Sequence, residues 1–294
     1  MATGALRLPL SLAGAALALL GAAGGGAPAS AARGPGAAPA GAHAAVVGGR
    51  AAPAGSFPYL ALVQHDVGAH RAGLLCTGTI VSPNTVLTAA HCVVDPLTHR
   101  LYPASQFEVG TGTVDVNNPK GLEVSRVARI AIFPSRTYLV DAAVLVLATP
   151  TREPALPLAT AADARYLTAG TPAATIGWGE TYYGQSSTSE GRLHWGLLVL
   201  QSPTWCQRDV KPSGVVGFNA GEQLCAVDPH FETSPCYGDS GGPLVVQTGP
   251  RTDVDVGIYS MGGPRCRPIY AAYFTRVDLV SSFVQGIALQ AIHG

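Results

Sequence analysis

The stretch CYGDSGGPLVV, residues Cys236–Val246, places a serine between an aspartate and two glycines, directly ahead of an apolar run that is typical of a β-strand. A serine hydroxyl is a weak nucleophile until a neighbouring base removes its proton. Gly238 and Gly241 leave room for a substrate backbone and permit backbone angles that aim several N–H groups at one point. The same composition also suits a polar turn. A catalytic Ser240 therefore requires a base, a group that orients the base, and donors for an oxyanion.

Two other stretches supply candidates for the base and its orienting group. TAAHCVV, residues Thr88–Val94, holds His91 among small and apolar residues, and YLVDAAVLVLA, residues Tyr138–Ala148, carries Asp141 at the head of an apolar run. A buried carboxylate is costly unless it is hydrogen-bonded or paired, and an imidazole N–H is a suitable partner. Taken singly, each residue has a structural alternative: a packed histidine beside a cysteine, and an aspartate at a strand entrance.

The chain from Val46 onwards has the pattern of an all-β protein. Short apolar runs recur between clusters of Gly, Pro, Asn and Asp, as expected for barrels or sandwiches. Only the C-terminus is convincingly helical, because apolar residues recur at helical spacing there and Asp278 is placed to cap the first turn. The proline-rich segment 149–159 is the best candidate for a crossing between two halves.

The N-terminal residues are typical of a cleaved export signal. An apolar run over residues 8–23 is followed by the small-residue pattern Ala-Ser-Ala at 29–31. We predict a signal peptide over residues 1–31 and a pro-segment over residues 32–45, where Gly, Ala and Pro dominate. The folded domain would then cover residues 46–294. The alternative, an uncleaved anchor, would need a longer apolar run.

The composition argues against several functional classes. The 294-residue chain has a formal net charge of zero and only 12% charged residues, so no basic excess points to nucleic acid or to a membrane surface. Six cysteines in an exported chain indicate disulfides, although their pairing stays open at this point. No C-x-x-C pair or Cys/His cluster has zinc spacing, so we expect no metal and no cofactor.

Together these stretches resemble the trypsin/chymotrypsin family of serine endopeptidases. T-A-A-H-C, D-x-A-x-L and G-D-S-G-G-P occur in the family's order. Val46–Gly49 looks like the new N-terminus that forms on activation, Gly177–Gly179 like the G-W-G turn, and Phe274–Val277 like the strand before the last helix. The resemblance covers essentially the whole chain after residue 45, and the Ala- and Gly-rich composition is similar to that of secreted bacterial members.

The resemblance implies an all-β fold of two antiparallel six-stranded β-barrels with a C-terminal α-helix. Barrel 1 would cover about 46–155, barrel 2 about 156–277 and the helix about 278–292, with the site in the cleft between the barrels. It also implies three disulfides: Cys76–Cys92, Cys206–Cys225 and Cys236–Cys266.

The family's catalytic roles carry over residue by residue. Ser240 would attack the peptide carbonyl, His91 would take its proton and pass it to the leaving amine, and Asp141 would fix the imidazole tautomer. The backbone N–H groups of Gly238 and Ser240 would form the oxyanion hole. No member of this set is replaced. That completeness argues against the main alternative, a catalytically inactive binding protein on a protease fold. A different serine hydrolase would want G-x-S-x-G between a strand and a helix.

The resemblance also implies that the exported chain is a zymogen. Cleavage before Val46 would free an α-amino group that pairs with Asp239 and orders the loop carrying the oxyanion donors. The activating protease should not be trypsin-like, because Ala45 precedes the scissile bond and Arg50 lies beyond it. The predicted partners are therefore a protein or peptide substrate, an activating protease and protein inhibitors, with a secreted monomer as the expected form. No nucleic acid and no stable membrane association are expected.

The specificity pocket departs from the trypsin-like pattern. Ser234 stands at the pocket base, where trypsin-like members need an acid, and Ser260, Met261 and Gly262 resemble one wall. Ala272 falls near the family's second glycine wall and would make the pocket slightly shallower. These residues predict a neutral slot that prefers a large apolar or aromatic side chain at P1, the residue whose carbonyl is attacked.

The residues around the last disulfide also differ from the family pattern, and the arginines among them have two interpretations. Pro235 and Tyr237 replace the more usual neighbours of Cys236, and Arg265 and Arg267 flank Cys266. The arginines are either solvated loop charges, or Arg265 reaches the pocket mouth and favours acidic substrates.

Overall fold

The computed structural model describes residues 46–65, 75–118, 120–183, 191–250 and 252–293. The predicted signal peptide and pro-segment lie outside these residues. No helix in the described part of the chain is long and apolar enough to cross a membrane. In chain order the strands and α-helices are β1 Arg50–Ala51, β2 Leu60–His65, β3 Leu75–Ser82, β4 Thr85–Thr88, β5 Phe107–Thr111, β6 Glu123–Ile132, β7 Ala143–Leu147, β8 Pro172–Gly177, β9 His194–Leu200, α1 Pro203–Ser213, β10 Gln223–Val227, β11 Pro243–Gly249, β12 Thr252–Gly262, β13 Ala272–Arg276 and α2 Val277–His293.

Six strands of the first half close into a barrel. They are antiparallel and follow the order β2-β3-β4-β7-β6-β5. The barrel closes around fully buried apolar side chains, among them Ile80, Leu87, Phe107 and Leu145. β7 is buried at every position, which explains why AVLVL reads as a continuous apolar run rather than an alternating one.

The second half forms a second antiparallel barrel. The strands follow the order β8-β9-β10-β13-β12-β11, and the β11–β8 pairing closes the ring. β1 pairs with the first two residues of β9, and β10 pairs with its last two. Its interior holds Leu198, Leu244 and Phe274, all fully buried. The expectation of two six-stranded barrels with a C-terminal helix is confirmed, and this architecture is the chymotrypsin-like fold.

Two α-helices accompany the barrels. α2 packs the buried side chains of Val280 and Val284 against the core. α1 was not expected from the sequence. Its ends nevertheless carry recognisable signals: Ser202 Oγ accepts a hydrogen bond from the Trp205 N–H (3.2 Å), and Gly214 ends the helix at φ 68°.

Disulfides stabilise each half of the fold, and polar contacts join the two halves. The structure contains the three disulfides that the resemblance implied, Cys76–Cys92, Cys206–Cys225 and Cys236–Cys266. Between the barrels, Thr79 Oγ1 on β3 donates to Asp255 Oδ2 on β12 (3.0 Å), and both groups are buried. The predicted crossing 149–159 follows this seam, because the Ala159 N–H donates to the Asp255 carbonyl.

Candidate active site

Strand pairing brings His91 and Asp141 to one end of the first barrel. β4 ends at Thr88 and runs into a 3-10 helix, Ala90–Cys92, that carries His91. Thr88 pairs with Ala143 at the start of β7, so the chain just before β7 lies beside that helix. Asp141 is in this approach, two residues before β7. The Cys76–Cys92 disulfide fastens the helix to β3.

His91 and Asp141 form a closely held pair. His91 Nδ1 lies 2.6 Å from Asp141 Oδ2, and the backbone N–H of His91 donates to Asp141 Oδ1 (2.9 Å). Ser260 Oγ donates a third hydrogen bond to the same carboxylate (2.7 Å). Asp141 is only 8% exposed, so these three donors compensate a carboxylate that is otherwise removed from water.

The two groups of this pair shift each other's titration. Burial alone would lower the pKa of His91, but the charge of Asp141 and its hydrogen bond raise that pKa above its usual value. Burial alone would raise the pKa of Asp141, but the charge of His91 and the hydrogen bonds from His91 and Ser260 lower it. The arrangement therefore holds Asp141 ionised and favours a proton on the imidazole.

Ser240 reaches the same place from the second barrel. The Thr77 N–H on β3 donates to the Ser240 carbonyl (2.8 Å), and Cys92 Sγ lies 3.7 Å from that oxygen. The serine is thus held beside the 3-10 helix that carries His91. Within the described residues no hydrogen bond joins Ser240 Oγ to His91 Nε2. Such contacts are often long in the absence of substrate and tighten when it binds.

The loop before Ser240 presents two unused backbone donors. Gly238 adopts φ 95°, a conformation that favours glycine, and a β-carbon there would lie 2.7 Å from the Gly179 Cα. The N–H groups of Gly238 and Ser240 donate no hydrogen bond to any part of the described chain, whereas the neighbouring Gly241 N–H donates to the Tyr259 carbonyl. The loop therefore leaves free the two donors assigned to an oxyanion hole.

Asp239 is turned away from the cleft and fully buried. Its carboxylate accepts the N–H groups of Gly179 and Cys236, each at 2.8 Å. Burial raises the pKa of Asp239 to about 7. Val46 is also fully buried, and the next residue, Val47, pairs with Ser234. The start of the folded chain and Asp239 are therefore both buried.

The comparisons with known proteins agree with this geometry. A family model described as Trypsin matches residues 46–284. This chain belongs to the trypsin family. Mouse "Serine protease 56" is 31% identical over 238 residues, which cover 79% of this chain and 37% of that protein. "Trypsin" of Saccharopolyspora erythraea is 31% identical over 205 residues, covering 69% of this chain and 82% of that protein. The match thus spans little more than a third of the mouse relative's length.

The residues predicted to form the pocket include neighbours at the ends of β12 and β13. Gly262 pairs with Ala272 across β12 and β13, and Met261 is half-buried beside them. The Ser260 hydroxyl, in contrast, turns to Asp141. Ser234 is buried and donates to the Pro235 carbonyl (3.2 Å).

Arg265, the candidate for the pocket mouth, lies over an aromatic ring. Its guanidinium carbon is 5.9 Å from the ring centre of Tyr183, and that ring is 6.0 Å from the ring of the exposed Tyr237. A cation over an aromatic face gains modest electrostatic stabilisation. The reading of Arg265 as a simple solvated charge is therefore incomplete, and a role toward acidic substrates stays a prediction.

The sequence motifs did not single out three residues that hold the site in place. The Asp141 N–H donates to Thr275 Oγ1 (2.9 Å), and Thr77 Oγ1 donates to the Gly238 carbonyl (2.9 Å). Tyr259 is the third, since its backbone bonds both Gly241 and Gly242. Thr275 lies within the Phe274–Val277 stretch, so the family motif could have identified it. Neither Thr77 nor Tyr259 lies within a quoted motif.

Among the residues that the structure describes, one group has ligand atoms close enough together for a metal ion. Atoms of Cys76, His91 and Cys92 all lie within 4.8 Å of one another. Both sulfurs are joined in a disulfide and cannot supply thiolate ligands. This group therefore does not fit a metal ion.

Proposed function

We propose that this protein is a serine endopeptidase that hydrolyses peptide bonds through Ser240, His91 and Asp141. The observation that carries the proposal is the His91–Asp141 pair at 2.6 Å, with its free imidazole edge beside the loop of a serine flanked by two unused N–H donors. A trypsin-family domain over residues 46–284 supports the same reaction class.

The chemistry follows from these positions. Ser240 Oγ forms a bond to the scissile carbonyl carbon while its proton passes to His91 Nε2, and the resulting oxyanion accepts the N–H groups of Gly238 and Ser240. The C–N bond then breaks as His91 returns the proton to the leaving amine, which leaves an acyl-enzyme. A water molecule repeats the sequence and releases the acid. Asp141 stays ionised and accepts the hydrogen bond from His91 Nδ1–H throughout.

Activation would require cleavage before Val46. The freed α-ammonium group would pair with Asp239, whose buried carboxylate has backbone donors but no cationic partner within the described residues. Ionising this carboxylate without a cation is costly. Cleavage therefore stabilises the conformation in which the Gly238 and Ser240 donors are in place.

The sequence-based expectations on location and partners belong to the same proposal. The protein would be exported through residues 1–31, act outside the cell as a monomer on proteins or peptides, and be a target for protein inhibitors. The three disulfides are compatible with an oxidising compartment. The pocket would be neutral because Ser234 stands at its base, so Arg and Lys would not be preferred at P1.

Protein starting at Val46 tests the proposal directly. It is treated with a fluorophosphonate that labels activated serines and is incubated with a peptide library, in parallel with the Ser240→Ala variant. Labelling and cleavage that are both absent from the variant support the proposal. A folded protein that neither reacts nor cleaves would instead be the inactive binding protein that the sequence left as the alternative.

A further inference from the structure

The side chain of Tyr259 occupies the space between the two walls of the pocket. One wall is the segment Ser234–Cys236 and the other is the end of β12, Ser260–Gly262. The Tyr259 hydroxyl donates to the Pro235 carbonyl in the first wall (3.3 Å). In the second wall, a β-carbon at Gly262 would lie only 2.7 Å from the hydroxyl oxygen of Tyr259. The phenol tip therefore touches both walls.

This position is held from several sides. The Tyr259 carbonyl accepts the Gly241 N–H and its N–H donates to the Gly242 carbonyl, both at 2.8 Å, which pins the residue to the serine loop. Its ring lies 5.5 Å from the ring of Phe274, and only 5% of the residue is exposed. Rotating the phenol out of the pocket would break a buried hydrogen bond and leave a cavity, both of which are costly.

The phenol also separates the pocket from its expected base. Ser234 Oγ and Tyr259 Oη donate to the same Pro235 carbonyl. A P1 side chain entering between the walls would meet the tyrosine hydroxyl at the depth of this carbonyl. The size of the accepted side chain is therefore limited by Tyr259, and Ser234 is not the residue that decides it.

We infer that Tyr259 closes the specificity pocket and restricts this enzyme to small P1 residues such as Ala, Gly and Ser. The inference rests on the proposed peptidase function and departs from the sequence-based expectation of a large apolar P1 residue. It also matches the chain's own activation site. The predicted scissile bond follows Ala45, which is a P1 residue that such a pocket accepts.

The test uses protein starting at Val46 and a peptide series that differs only at P1, with Ala, Val, Leu, Phe and Arg. We expect kcat/KM for the P1 Ala peptide to exceed that for P1 Phe by about 100-fold or more, since even one methylene can change kcat/KM by about 10- to 200-fold. Preference of the wild-type enzyme for P1 Phe or Leu would overturn the inference while leaving the proposed function intact. Loss of both cleavage and fluorophosphonate labelling would instead count against the proposed function.

Variants separate the role of Tyr259 from a general effect on stability. Tyr259→Val should raise the ratio of kcat/KM for P1 Phe to that for P1 Ala by about 50-fold or more. Tyr166→Val is a matched control, because Tyr166 is a half-buried tyrosine that donates to the Thr248 carbonyl (2.9 Å) on another part of the second barrel. The control should leave the ratio unchanged.

Two outcomes of the variant series would reject the assignment. A folded Tyr259→Val with the wild-type ratio would show that another group limits the pocket, and so would an equal shift in Tyr166→Val. Tyr259→Leu, which shortens the side chain but fills more of the space, should shift the ratio in the same direction if the valine variant does not fold. Tyr259→Phe keeps the ring and should retain the preference for P1 Ala.

Discussion

Asp239 provides a quantitative test of activation by cleavage before Val46. In the uncleaved chain its carboxyl is fully buried and burial raises its pKa to about 7. The same group in the unfolded chain titrates near 3.9. Between these two values the folded state binds more protons than the unfolded state, so the free energy of unfolding falls as pH rises. The free energy of unfolding that is lost by ionising the buried carboxyl reaches about 4 kcal/mol near pH 8.

Cleavage should remove this cost, because the α-ammonium group of Val46 would then pair with the ionised carboxylate. We expect the cleaved form to be the more stable one. The difference in free energy of unfolding between the two forms, called the gap below, should grow by about 2–3 kcal/mol between pH 5 and pH 7.5. The full gap should approach the range of about 3–5 kcal/mol that is typical for breaking a buried pair. Above the pKa of the paired amine, which pairing raises above its usual value near 8, the gap should shrink again.

The assay compares chains 32–294 and 46–294 by urea denaturation, both carrying Ser240→Ala so that neither form cuts the other. Fluorescence of the buried Trp178 reports unfolding. The same two chains with Asp239→Asn complete a thermodynamic cycle, which separates the effect of cleavage from that of the Asp239 carboxylate. The asparagine places an amide N–H₂ against one of the two backbone donors, but that cost is common to both forms and cancels in the comparison. A pH-dependent gap that survives Asp239→Asn, or the absence of any gap with Asp239 intact, would refute the pairing.

Four further predictions concern the site and its surroundings. Burial raises the pKa of Asp255 to about 8, so the free energy of unfolding of Asp255→Asn relative to wild type should rise by about 1.4 kcal/mol per pH unit from pH 5 to pH 7 in urea denaturation; a difference that does not change with pH contradicts this. Ser260→Ala removes a hydrogen bond to a buried carboxylate and should lower kcat/KM by about 10- to 100-fold, with KM changing little. The acidic limb of the pH profile of kcat/KM should have its midpoint above 6.5, because only neutral His91 can accept a proton, and Asp141→Asn should move the midpoint down. Active enzyme should cut the inactive 32–294 chain after Ala45 and spare an Ala45→Phe version; equal cutting of both, read by mass spectrometry, argues against a small pocket.

Much of this site could be predicted because its chemistry is local in sequence. The residues around Ser240 combine the proposed nucleophile with the glycine that frees two backbone donors, and those features need no knowledge of distant contacts. The pairing of β4 with β7 that joins His91 to Asp141 is a consequence of the fold, so it followed only from the family resemblance. Helix α1 escaped prediction because it lacks a clear apolar stripe. Its cap residues Ser202 and Gly214 were visible in the sequence.

The role of Tyr259 could not be predicted, for a physical reason. All residues of β12 from Val254 to Tyr259 are buried, and the alternation of polar and apolar residues at the start of the strand ends at Gly257, so the sequence does not show which way the Tyr259 side chain points. The pairing with β13 also shifts register between Tyr259 and Met261. This irregularity lets Ser260 turn to Asp141 while Tyr259 fills the pocket. Ser234, Gly262 and Ala272 alone therefore predicted a neutral pocket for a large side chain, whereas the inferred role of Tyr259 needed the contacts of the folded chain.

The proposed catalytic residues also form the polar contacts between the two barrels. Asp141 belongs to the first barrel, yet it accepts the Ser260 hydroxyl and donates its N–H to Thr275 Oγ1, both from the second barrel. Ser240 belongs to the second barrel, and its carbonyl accepts the Thr77 N–H of the first barrel. Because these bonds join the two barrels, a shift of one barrel against the other must move His91 and Asp141, the proposed base and its partner, relative to Ser240. A displacement of about 1 Å can cost about 100-fold in rate. Substitutions along this seam should therefore lower kcat even where they touch no substrate.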